Sequence, residues 1–291
     1  MKRMKTAVCL LALFTGLIAA GCAEQKDDEI LNLPEIPVEK PSEFPIEPPA
    51  EELPEEPVTP EAPEKPTLPP EQPEPEDPAQ TVAKAQYLRV TGDSVNLRSG
   101  AGTGYSILGK AEKNTLFAVT GETDGWYQTY CRGRKAFISK KYAVKYETTA
   151  ADKKTENVID EGMKLLGVPY VYGAVRLHDG AGNFLKSFTK EKFDCSSLMQ
   201  YIFYYGKGAL LSVTSRTQAS NGKAVDYADL QRGDLLFFTN ASRYYKTGIE
   251  RIGHVALYLG DGYILHTASD FAKVERMSET RRNYFICARR V

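Results

Sequence analysis

Sixteen of the chain's 17 prolines fall between Pro34 and Pro78, and this run limits how much of the 291-residue sequence can pack. Proline lacks a backbone donor and holds φ fixed, so neither a helix interior nor a central strand passes through such a run. Residues 23–80 also hold 18 Asp and Glu against 3 Lys, a local charge of −15. Like charges spread a chain that has little apolar surface to bury. An extended, partly polyproline II spacer is expected there, rising about 3.1 Å per residue. The whole chain carries −1 and its first 21 residues +3, which leaves +11 on residues 81–291. An acidic arm on a basic body excludes one continuous globule, a collagen-like repeat and a polytopic membrane protein.

The amino terminus reads as an address. Lys2, Arg3 and Lys5 precede a mostly apolar stretch from Ala7 to Ala20, too short to span a bilayer and the right size for a signal-peptide core. It ends Ile18-Ala19-Ala20-Gly21-Cys22. Small residues before a cysteine resemble a bacterial lipobox. That resemblance implies a signal peptide over 1–21, lipidation of Cys22 as a membrane anchor, and a disordered Pro/Glu-rich linker over 22–83. The alternative is an ordinary secretory signal with an incidental cysteine; both export the protein. Cys131, Cys195 and Cys287 then remain, too few for a disulfide framework and without paired zinc-ligand spacing. Cys131 and Cys287 read as core residues, with a bridge between them as the alternative.

Residues 84–147 read as short strands and turns. Ser94–Arg98, Leu116–Val119, Trp126–Tyr130 and Ala136–Ile138 are separated by Asn, Asp and Gly. The segments Val95-Asn96-Leu97-Arg98-Ser99-Gly100, Gly125-Trp126-Tyr127 and Phe137-Ile138-Ser139 resemble a bacterial SH3 domain. The resemblance implies a small SH3-like β-barrel that binds wall peptides or shapes a cleft. Trp126 and Tyr127 read as barrel core, with a ligand platform as the alternative. Where the family turns on glycine this chain has Asn114, which tolerates a left-handed backbone. The basic body suits anionic wall polymers as partners, with surface lysines that merely keep the protein soluble as the alternative.

Residues 152–291 carry the candidate chemistry. A helix is expected over about 152–166, closed by Gly167. Asp194 is placed to cap a second, buried helix with Cys195 in its first turn. The free N–H groups and dipole of a helix start favour a thiolate. Gly253–Leu259 and Tyr263–His266 read as a hairpin turning at Gly260-Asp261-Gly262, with His254 and His266 near its open end. The chain has only three histidines, and two of them fall on this hairpin. A thiol, a base and a group to orient the base form the set that nucleophilic catalysis needs. A metal site made by the same three side chains is the chemical rival. His178 reads as a loop histidine.

In order along the chain, Pro169-Tyr170-Val171-Tyr172-Gly173, Asp194-Cys195-Ser196-Ser197, Thr214-Ser215-Arg216-Thr217-Gln218, Gly233-Asp234-Leu235, Gly253-His254-Val255 and Leu265-His266 resemble the NlpC/P60 family of cell-wall peptidases. The resemblance implies an α+β, papain-like catalytic domain over 152–291. It further implies cysteine endopeptidase activity on the γ-D-glutamyl–diamino acid bond of peptidoglycan stem peptides, with no cofactor and no nucleic acid partner. Carried over by position, Cys195 matches the nucleophile, His254 the base and His266 the residue that orients it. The Cys195 N–H and Tyr170 lie near the oxyanion, and Asp194, Ser196 and Ser215 match positions that grip the stem. A carboxylate there suits a free L-alanine amine. Ala174 and Ser197 stand where the family often has glycine, and 174–193 and 240–252 read as insertions able to wall a cleft. A non-catalytic wall-binding protein, and an amidase or acyltransferase on the same scaffold, are the rival readings.

Overall fold

The computed structural model describes residues 83–291. The signal, Cys22 and spacer readings therefore fall outside the described residues. Eight strands come first: β1 (Lys84–Val90), β2 (Ser94–Arg98), β3 (Ile107–Glu112), β4 (Leu116–Ala118), β5 (Gly121–Thr123), β6 (Trp126–Cys131), β7 (Arg134–Ser139) and β8 (Ala143–Thr149). They form a three-stranded sheet ordered β4-β1-β8 and a five-stranded sheet ordered β3-β2-β7-β6-β5. The long pairing of β1 with β8, from Lys84↔Thr149 to Val90↔Ala143, ties the two ends of this unit together. Asn114 sits in the turn before β4 at φ 66°, in the left-handed region that its side chain tolerates. Trp126 and Tyr127 are half-buried rather than fully enclosed in the core.

Helix α1 (Lys153–Lys164) follows directly. Asp152 caps it by accepting the N–H groups of Lys154 and Thr155, and Gly167 beyond its end adopts φ 86°. Helix α2 (Cys195–Lys207) begins with a reciprocal capping box. The Asp194 carboxylate accepts the Ser197 N–H, and the Ser197 hydroxyl accepts the Asp194 N–H. Serine at 197, where glycine was the family's habit, thus supplies half of the cap. The two helices pack closely because Gly206 lacks a side chain: a Cβ there would lie 2.4 Å from Val158 Cα.

The remaining elements are α3 (Ser215–Gln218), β9 (Lys223–Val225), β10 (Leu235–Phe238), β11 (His254–Gly260), β12 (Tyr263–Ala268), β13 (Phe271–Arg276), α4 (Glu279–Asn283) and β14 (Phe285–Arg290). Six of them build one antiparallel sheet ordered β13-β12-β11-β10-β14-β9. Side chains alternate across its faces. Leu235, Phe237, Val255, Leu257 and Leu265 turn toward the helices, while Leu236, Phe238, Ala256 and Ile264 form a second apolar cluster.

The larger core does not stop at the boundary between the strand-rich unit and the helices. It runs from Leu88, Val90 and Leu97 through Val158, Ile159 and Met163 to Leu198, Ile202 and Leu265. Polar contacts reinforce it. Arg232 makes a two-pronged pair with Glu156 at 2.6 and 2.8 Å, donates to the Leu259 carbonyl at 2.6 Å and bonds the Tyr87 hydroxyl. The Tyr146 and Thr148 hydroxyls donate to Asp261 at 2.6 and 2.8 Å. Cys131 and Cys287 are both free, on strands of two different sheets, so the alternative of a bridge between them does not hold.

Candidate active site

Cys195 is the first residue of α2 and is 9% exposed. Its sulfur lies where β11 begins, with the backbone N–H groups of Val255 and Ser196 favouring the thiolate. Burial and the nearby Asp194 charge act the other way and win, pushing the thiol up to about 11. The expectation of a depressed thiol at a helix start is therefore corrected. Removal of the sulfur from water outweighs the helix dipole.

His254 and His266 turn to the same sheet face because each lies an even number of residues from its neighbours in the second apolar cluster. They do not sit directly opposite one another. The pairing Leu257↔Leu265 places His254 across from Ala268, so the two histidines are diagonal neighbours. Their rings meet edge to face, and His254 Nε2 lies 3.0 Å from His266 Nδ1. Among the described residues, the ring hydrogen bond of His254 is made by Nε2, and Nδ1 makes none. Burial holds both imidazoles below the ordinary histidine range; His266 and then Arg281 push His254 further the same way.

One member of this cluster escaped the sequence reading. Glu275 on β13 places Oε1 3.1 Å from His266 Nε2, close but not in line for a straight hydrogen bond. Lys273 and Arg281 lie 3.3 and 3.4 Å from the same carboxylate. Against the opposing effect of burial, His266 and these cations hold Glu275 down to about 2. Only a period-two count along β13, with β12 known to be its neighbour, points to this residue.

The other anticipated residues distribute unevenly. Tyr170 lies near Cys195 and Asp194, and its hydroxyl is raised mainly by burial and then by those two groups. Asp194 is 4% exposed and fully engaged. One oxygen accepts from Ser196 and Ser197, and the other accepts from Arg176 at 3.0 Å. Arg176 also donates to the Ser196 hydroxyl at 3.2 Å and to the Ala174 and Val213 carbonyls. Residues of the 174–193 segment thus reach into the site, a contact that sequence reading anticipated only as a wall. Ser215 opens α3, which is joined to α2 by the Gln218 amide donating to the Ser196 carbonyl at 2.9 Å. Its hydroxyl makes no hydrogen bond to the Cys195–His254–His266 group among the described residues. The 240–252 segment is fastened to α3, since Glu250 lies 3.4 Å from Arg216 and 3.0 Å from Arg243. His178 is wholly buried in its loop, its Nδ1 accepting the Gly180 N–H and its ring against Phe184 and Tyr204. Among the described residues, no group of three or more His, Cys, Asp or Glu is arranged to hold a metal ion. No described helix is long and apolar enough to cross a membrane.

A thiol at a capped helix start, beside two adjacent strands that each carry one of a pair of buried imidazoles, outlines a cysteine–histidine site. Residues 93–143 match the bacterial SH3 domain and, further along the chain, residues 167–290 match the NlpC/P60 family. It is 29% identical over 181 residues to a gamma-DL-glutamyl hydrolase of Bacillus subtilis, covering 61% of this chain and 36% of that protein. It is 30% identical over 171 residues to a gamma-D-glutamyl-L-lysine dipeptidyl-peptidase of the same organism, covering 58% and 50%. A protein of that same description from Bacillus cereus is 33% identical over 149 residues, covering 49% and 38%. The chain thus spans half or less of the length of these curated relatives.

Proposed function

We propose that this protein is an exported peptidoglycan hydrolase, a cysteine endopeptidase that cuts the γ-D-glutamyl–diamino acid bond of cell-wall stem peptides. The observation that carries the proposal is the 3.0 Å contact between His254 of β11 and His266 of β12, next to the Val255 N–H that meets the Cys195 sulfur. Relatives named for γ-glutamyl hydrolysis support the choice of bond.

In this reading Cys195 gives its proton to His254 Nδ1 as its sulfur attacks the γ-carbonyl carbon. The Cys195 N–H and Tyr170 face the oxygen that gains charge. The C–N bond breaks, His254 returns the proton to the leaving amine, and a thioester remains. Water, deprotonated by His254, then releases the acid and restores the thiol. His266 holds the His254 ring. Asp194, Ser196 and Ser215 belong to the stem-binding side, with Arg176 already paired to Asp194. The first unit folds as an SH3-like barrel that shapes or extends this cleft, and the +11 of residues 81–291 draws the protein to anionic wall polymers. Cys22 carries the lipid, and the acidic spacer holds the catalytic unit away from the membrane.

The test is mass spectrometry of an L-Ala-γ-D-Glu-diaminopimelate peptide incubated with the protein or with Cys195→Ala. Release of L-Ala-D-Glu by the active protein alone is expected. With Asp194 occupied by Arg176, a peptide with a blocked amino terminus should be cut at a similar rate. Acyl transfer, cleavage at another bond, or cleavage by Cys195→Ala would overturn the reading.

A further inference from the structure

Two protons must be arranged before His254 can serve as a base, and the geometry of its neighbours restricts where they sit. His254 Nδ1 has to be unprotonated to receive the thiol proton, so its single ring proton belongs on Nε2. Nε2 faces His266 Nδ1 at 3.0 Å, and a hydrogen bond there requires His266 Nδ1 to accept. The proton of a neutral His266 must then sit on Nε2. That nitrogen is buried, and its one polar neighbour among the described residues is the Glu275 carboxylate at 3.1 Å.

We propose that Glu275 is a positioning residue that holds the His266 proton on Nε2 and, through it, the His254 proton on Nε2. The inference rests on the reading of Cys195 and His254 as the reacting pair. The carboxylate is an acceptor only, so a histidine that turned its bare nitrogen toward it would lose the contact and place two lone pairs together. Strand register brings the groups together. His266 pairs with Lys273, and Glu275 lies two residues further along β13 on the same face. The carboxylate is held from both sides, by Lys273 on its own strand at 3.3 Å and by Arg281 of α4 at 3.4 Å. Arg281 is itself seated over the Phe238 ring, 5.6 Å from its centre, and that ring neighbours His254. Among the described residues, the charged groups that act on the pair are Glu275 and Lys273 from β13 and Arg281 from α4, while Cys195 opens α2 against the start of β11. Among the described residues Glu275 is the one anion next to the imidazoles, and it opposes the two cations that would drive the proton off His266.

The effect of Glu275 on a buried ring differs from that of a structural ion pair, and the experiment separates the two. Long-range nitrogen–proton correlation spectra of the ¹⁵N-labelled full chain report which nitrogen of each imidazole carries its proton, and the three histidines can be assigned with a His178→Asn variant. In the wild type His266 is expected neutral with its proton on Nε2. In Glu275→Gln the side-chain amide can donate to that nitrogen, so the proton should shift to Nδ1 or divide between the two. With the stem peptide as substrate, Glu275→Gln should lose about 10- to 100-fold in kcat with KM little changed, and Glu275→Asp should recover part of the loss. Loss of the anion should also move the acid limb of the kcat/KM profile to lower pH. A wild-type His266 protonated on Nδ1, or a Gln variant with unaltered tautomers and unaltered kcat, overturns the proposal. If the wild type cuts no stem peptide the proposed activity fails, and the spectra still decide the role of Glu275.

Discussion

At Cys195 a local rule and a tertiary effect pull in opposite directions. A helix start stabilises a thiolate, and the Val255 and Ser196 N–H groups add to that. Enclosure of the sulfur beside the Asp194 carboxylate reverses the sum and pushes the thiol up to about 11. Burial moves His254 downward at the same time. Both shifts favour a neutral thiol with a neutral imidazole over a thiolate with an imidazolium. Iodoacetamide labelling of Cys195, followed by peptide mass spectrometry, should be about 100-fold slower at pH 7 than for a thiol of ordinary pKa near 9, and should still accelerate above pH 9. A labelling rate that levels off below pH 8 would instead mean a preformed thiolate. Asp194 follows the same logic. Its place before a buried cysteine marks it as a helix cap, and its partner Arg176, 18 residues earlier in a loop, is invisible to any local pattern.

The elements were legible where their signals are local. Asp152 and Gly167 bracket α1, Asp194 opens α2, and Gly260-Asp261-Gly262 turns β11 into β12. Strands β1 and β8 were not read, because Lys84–Val90 and Ala143–Thr149 become strands by pairing with each other across more than 50 residues. The diagonal placement of the histidines has a related cause. A shift in register between Tyr258 and Gly260 offsets β12 against β11, and turn residues alone do not specify it. The clamp at Arg232 also belongs to this level. It joins the turn before β10 to α1 and β1, and its side chain is 7% exposed against 16% for Glu156. Arg232→Met leaves a largely enclosed carboxylate and the Tyr87 hydroxyl without their partner, and should cost about 3–5 kcal/mol of stability in denaturant titration. A loss below about 1 kcal/mol would mean that water replaces the guanidinium.

The molecule as a whole buries its three histidines, which favours their neutral form. Burial is the leading cause that lowers His178, His254 and His266. The unfolded chain therefore takes up these protons first as the pH falls. Stability from this source is complete above about pH 6.5 and is lost as the pH drops through that value toward the folded ones. The melting temperature should fall between pH 7.5 and pH 5, before the carboxylates of Asp152, Asp179 and Asp261, which are lowered from a much more acidic starting point, begin to matter. A melting temperature constant over that range would show that the histidines gain water or a partner on protonation. The continuous core from Leu88 to Leu265 makes a single cooperative transition the expected form of that melt.

Composition and short-range order were enough to separate an acidic, proline-bound arm from a basic body, to place Cys195 at a helix start and to put two histidines on one hairpin. Those features follow from backbone constraints and side-chain periodicity, which act over a few residues. The protonation of the thiol, the Arg176–Asp194 pair, the Glu275 carboxylate behind His266 and the seam closed by Arg232 follow from the third dimension. Desolvation and charge pairing depend on which distant segments exclude water from one another, and no local pattern encodes that.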